Sequence, residues 1–126
     1  MGRNRGSRAA RALALSAVFA LGSCMGPTHD ESVLRAIKTE SERLVATHPI
    51  KPPAHWADIP KREWPPTIAG LRPFSVTVFE WGVDILVRPD FDGGWGYEVP
   101  RDKRDLPMPA GCYSEPGPGV FWHGTC

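Results

Sequence analysis

Between Thr28 and Pro49 the apolar residues Val33, Leu34, Ile37, Leu44 and Val45, with Ser41 among them, recur at three- and four-residue intervals. Arg35, Lys38, Glu40, Glu42 and Arg43 lie largely off that stripe. The pattern predicts an amphipathic helix with one packed face and one wet face. Thr28, followed three residues later by Glu31, makes a capping-box start, and Asp30 and Glu31 suit the positive end of the helix dipole. Pro49 stops the helix at about His48.

Further along the chain the period changes to two. Val76 and Val78 alternate with Ser75 and Thr77, and Val83, Ile85 and Val87 alternate with Asp84 and Arg88. This is a β-hairpin pattern with its turn at Glu80, Trp81 and Gly82. Residues 90–94 form a second turn, Trp95, Tyr97 and Val99 share one face of a third strand, and residues 119–124 make a short fourth. The stretch from 50 to 73 is rich in proline, yet Trp56, Ile59, Trp64, Ile68 and Leu71 are too apolar for a flexible linker. It reads as an ordered wrap with a helical turn begun at Pro65 or Pro66. The expected fold is α+β: an N-terminal amphipathic helix on a small antiparallel sheet of three to four strands, with the Pro/Trp-rich segment wrapped over it.

Composition adds limits. A chain of 126 residues fits one domain plus a targeting segment, and its 14 prolines and 13 glycines imply many turns. The formal charge of +1 hides an uneven distribution. Setting aside Arg3, Arg5, Arg8 and Arg11 leaves eleven basic residues against fourteen acidic ones, a body near −3. The basic run at 101–104 includes Asp102 and is followed by Asp105, so no phosphate-reading surface remains and nucleic acid is excluded as a partner.

The four arginines precede an uncharged run of 11 residues from Ala12 to Gly22. That run is too short to span a bilayer, which takes about 20 apolar residues, and has the length of a secretory signal core. Leu21, Gly22, Ser23 and Cys24 then resemble the lipobox of bacterial lipoproteins. The resemblance implies a signal peptide over 1–23, a diacylglyceryl group on Cys24, a tether over 24–28 and a single domain over 29–126. Two or three acyl chains would hold such a protein on a membrane without crossing it, at about 0.8 kcal/mol per buried methylene. Met25 in place of an aspartate favours the outer membrane by the same resemblance, and no twin-arginine pair is present.

With Cys24 acylated, Cys112 and Cys126 are left as an even pair in an oxidising compartment, which predicts a disulfide. Its rivals are a metal site of Cys112, His123 and Cys126, which lacks two closely spaced pairs, and a Cys112 nucleophile activated by His123.

A second resemblance lies within the domain. Ile59-Pro60, Trp64-Pro65-Pro66, Ile68, Leu71, Pro73, Val76, Gly82-Val83, Ile85, Gly96-Tyr97, Val99-Pro100, Gly119-Val120 and Trp122 are together similar to a recurring small bacterial domain of uncharacterised function. The likeness covers roughly residues 59 to 123. It implies a fold and carries no activity.

Candidate chemistry is sparse. Asp90 and Asp92 before two glycines suggest calcium, but an EF-hand loop starting at Asp90 would place Trp95 at its glycine position and Arg101 at its bidentate acid. Asp84, Asp90, Asp92 and Glu98 offer a weak ion site at a loop tip or a carboxylate pair for glycoside cleavage, neither of which spacing specifies. His29, His48, His55 and His123 are scattered. Of the tryptophans, Trp64, Trp95 and Trp122 suit the core, while Trp81, in the hairpin turn, is the expected exposed binding residue. The sequence therefore points to a lipid-anchored envelope protein with a non-catalytic binding or structural domain, without cofactor, metal or catalytic residues, and with an envelope protein or peptidoglycan as partner. An envelope enzyme using the acids near 84–98 and a C-terminal metal module are the alternatives.

Overall fold

The computed structural model describes residues 26–126, so the expected signal peptide and Cys24 lie outside the described residues. The first helix, α1, spans Glu31–Thr47. Its N-cap is Asp30, whose carboxylate accepts from the Ser32 amide at 2.9 Å and the Val33 amide at 3.3 Å. These bonds and the one from the Ser32 hydroxyl hold Asp30 below the usual carboxylate range. The cap thus sits two residues beyond the expected Thr28, because a carboxylate satisfies two orphan amides at once. Thr28 instead donates its amide to the Tyr97 hydroxyl at 2.7 Å, pinning the start of the domain to the sheet.

Six strands follow, all antiparallel: β1 (Trp56–Asp58), β2 (Ser75–Phe79), β3 (Gly82–Arg88), β4 (Trp95–Pro100), β5 (Tyr113–Gly117) and β6 (Val120–His123), in the spatial order β1-β2-β3-β4-β6-β5. The α+β class stands, but the sheet of three to four strands is corrected to six. The two additional strands are the edges. β1 has three residues inside the proline-rich wrap, too few for periodicity to register. β5 reads Tyr-Ser-Glu-Pro-Gly, a loop composition that only an edge strand tolerates, because Pro116 has no amide to give a ladder.

One sheet face is buried under α1. Leu34, Ile37 and Leu44 meet Val76, Val78, Val83, Ile85, Tyr97, Val99, Val120 and Trp122 in a single core. The wrap contributes Ile59 and Ile68 to it, and the half-buried Trp64 donates its indole N–H to the Ile59 carbonyl at 2.9 Å. The two-residue turn at Glu80 and Trp81 leads into Gly82 at φ +152°, where a Cβ would collide with the Val99 carbonyl.

Glu40, expected on the wet side of α1, is buried at 6 % exposure. Its carboxylate accepts from the amides of Thr67 at 2.7 Å and Ile68 at 3.4 Å, the first turn of the second helix, α2 (Pro66–Gly70). A helix this short cannot satisfy its own leading amides, and α1 supplies the acceptor. Cys112 and Cys126 form a disulfide with their Cα atoms 5.8 Å apart. They are bonded to each other, so the metal set of Cys112, His123 and Cys126 does not form. No helix among the described residues is long and apolar enough to cross a membrane.

Two outcomes follow for stability. Glu40→Ala should cost about 2 kcal/mol, the loss of charge-assisted bonds to buried amides, read as a lower urea midpoint. Replacing both Cys112 and Cys126 by serine should cost roughly 3 kcal/mol, as expected for a closed loop of this size. Mass measurement without reductant should find the two cysteines linked, and two free thiols in oxidised material would contradict the fold at this end.

Candidate functional site

Strand alternation sends every second residue to the face turned away from α1. Asp84 on β3 and Glu98 on β4 are direct cross-strand partners on that face. His123 on β6 pairs with Gly96, which places it diagonally beside Glu98, and Tyr113 on β5 pairs with His123. One donor atom each from Asp84, Glu98 and His123 lie within 4.8 Å of one another. Glu98 is 4 % exposed and His123 7 %, while the Asp84 side chain keeps 23 % exposure at the rim.

The cluster forms the floor of a groove of about 300 Å³, walled by Phe79, Trp81, Leu86 and Met108. Phe79 and Trp81 stack with ring centroids 5.4 Å apart. The opposite wall is the loop before Cys112, held down where the Met108 amide donates to the Tyr113 hydroxyl at 3.3 Å. The Tyr113 ring meets Phe121 and His123 edge-on at 6.2 and 6.0 Å.

The electrostatics follow from the burial. Burial pushes Glu98 above the usual carboxylate range and Asp84 adds to that, while the Tyr113 hydroxyl and the charge on His123 pull the other way without prevailing. For His123, burial opposes protonation, but the Asp84 carboxylate, the Gly124 carbonyl and the charge of Glu98 together outweigh it, so its affinity for a proton rises. Burial and the neighbouring Glu98 raise Tyr113, keeping it a neutral hydrogen-bonding group. His123 Nδ1 lies 3.2 Å from the Gly124 carbonyl. A carbonyl only accepts, so Nδ1 carries the proton and Nε2 faces the carboxylates as a lone pair in the neutral ring. Nε2 and Asp84 Oδ1 are 3.9 Å apart, too far for a hydrogen bond. His123 Nε2 and Glu98 Oε2 are buried without a partner. With Glu98 ionised and the His123 ring neutral, these are cation-ligand and proton-binding groups with no donor between them.

The structure thus gathers two of the four acids the sequence grouped together. Asp90 and Asp92 remain exposed in the β3–β4 turn, where Asp90 accepts from the Phe91 amide at 2.8 Å. Sequence reasoning missed His123 as the third member. The outward step at His123 in the Val120–Trp122 alternation was the available signal, but it needs the β4–β6 register to acquire meaning. Trp81 is half-buried in the groove wall, and the tryptophan that protrudes is Trp56 on the edge strand, 55 % exposed. Trp122 is buried, and Trp64 and Trp95 pack half-buried against the core as expected.

Because Glu98 and His123 both bind protons more tightly folded than unfolded, their contribution is full below the ordinary carboxylate value of 4.5. It declines as pH rises, through the raised range of Glu98 and then above the ordinary histidine value of 6.5. In chelator-treated protein the urea midpoint should therefore fall as pH rises across this window. Glu98→Gln should flatten the carboxylate part of the profile and raise the midpoint at neutral pH, and a variant profile identical to the parent's would refute the assignment. No family model, curated protein or solved structure matches this chain, so its function is argued from the site.

Proposed function

We propose that this chain is a lipid-anchored protein of a bacterial cell envelope, attached through Cys24 and carrying a non-catalytic binding domain whose site is the groove above Asp84, Glu98 and His123. The observation that carries the reading is the cysteine arrangement. Cys112 and Cys126 are consumed by one disulfide, a bond suited to an oxidising compartment. That leaves Cys24, directly after Leu21-Gly22-Ser23, as the odd cysteine at a lipobox-like boundary. The outer membrane is the favoured location, and the partner is an envelope protein or peptidoglycan.

Binding is preferred to hydrolysis on size. A groove of about 300 Å³ stands at the lower limit for a small-molecule site and takes an ion or one functional group of a larger partner, rather than enclosing several sugar rings for cleavage. Cys24→Ala should move the protein out of the membrane fraction and abolish fatty-acid labelling. Unchanged fractionation would sink the anchor.

A further inference from the structure

The face of the sheet opposite α1 presents a problem in hydrogen bonding. Two carboxylates stand directly opposite each other on β3 and β4, an arrangement that repels when both are charged. Beside them His123 turns a lone pair inward, because its other ring nitrogen is committed to the Gly124 carbonyl. Glu98 Oε2 and His123 Nε2 are buried without partners, in side chains more than nine-tenths removed from solvent. Buried acceptors without a donor are costly, and two of them, with the Asp84 carboxylate beside them at the rim, make a donor set that a cation would satisfy.

We propose that Asp84, Glu98 and His123 form a site for one divalent transition-metal cation, zinc being the best fit, with a remaining coordination position open to the groove. The donor set of one imidazole and two carboxylates suits zinc better than calcium, which prefers six or more oxygens. The donor atoms lie within 4.8 Å of one another. Ligands at about 2.0–2.2 Å from a tetrahedral ion stand about 3.3–3.6 Å apart, so the set would need to close by roughly 1 Å, a distance within the reach of side-chain rotation. His123 is held as metal-ligating histidines commonly are, with the outer nitrogen on a carbonyl, and Tyr113 backs Glu98 from β5. Three protein ligands leave the fourth position facing Trp81 and Met108, where a water or an anionic group of the partner would bind. The inference deepens the reading of the groove as a binding site and is independent of how Cys24 is modified.

The test is equilibrium dialysis of the purified full chain, disulfide intact and in detergent, against zinc, with manganese and calcium in parallel. One zinc per chain is expected, with a raised melting temperature and the weakest uptake for calcium. Asp84→Asn and Glu98→Gln, close in shape to the parents, should each weaken zinc binding more than about tenfold. His55→Ala, which alters the exposed His55–Glu80 pair, should leave it unchanged. If Glu98→Gln fails to fold, the partly exposed Asp84→Asn carries the comparison alone. A folded parent that takes up no zinc, zinc uptake retained in the substituted chains, or a preference for calcium would overturn the site. Dialysis uses the isolated chain, so its failure is separable from failure of the membrane anchor, which is read by fractionation.

Discussion

Burial of Val76, Val78, Val83, Ile85, Tyr97, Val99, Val120 and Trp122 beneath α1 fixes the register of the four central strands, and the remaining features of the domain depend on it. Side chains alternate along a strand, so a slip of one residue would drive Asp84 and Glu98 into the core and expose the valines. The energy that sets the pairing comes from the apolar face. The chemistry it positions is on the other face, where Thr77, Asp84, Glu98 and Phe121 fall into line across β2, β3, β4 and β6.

Two devices then complete the domain at its ends. At one, Glu40 reaches out of α1 to satisfy the first amides of α2, which seats Ile68 in the core and turns a proline-rich stretch into part of the packed structure. At the other, the Cys112–Cys126 bond joins the start of β5 to the tail beyond β6. Tyr113 and His123 lie just inside those cysteines, so the same crosslink that shortens the unfolded chain's freedom also steadies two sides of the groove.

The buried cluster is a local sacrifice of stability. Two opposed carboxylates and an imidazole lone pair occupy positions that apolar residues would fill more favourably. In the metal-free chain protons relieve the conflict, which is why Glu98 and His123 both gain proton affinity on folding. A bound cation would relieve it without consuming that pH range. Asp90 and Asp92, by contrast, stay exposed in a turn, where they meet no such conflict.

The helix, the central hairpin, the third strand and the final strand were legible in the sequence because each carries its own periodicity, in Ile37 and Leu44 at helical spacing or in Val76 and Val78 at alternate positions. The Cys112–Cys126 pairing was read from the cysteine count with Cys24 set aside as the expected lipidation site. The edge strands escaped because three residues, or a strand holding proline and glycine, have no periodic signature of their own and exist only through the neighbour they pair with. Glu40 could be placed on the helix but not inside the protein, since its partners lie 27 and 28 residues away. Periodicity and composition were enough to set the helix and the four inner strands and to name Asp84 and Glu98 among four interchangeable acids. Only the tertiary structure set those two opposite each other, discarded the other two and added His123, because cross-strand register is settled by what the opposite face must bury.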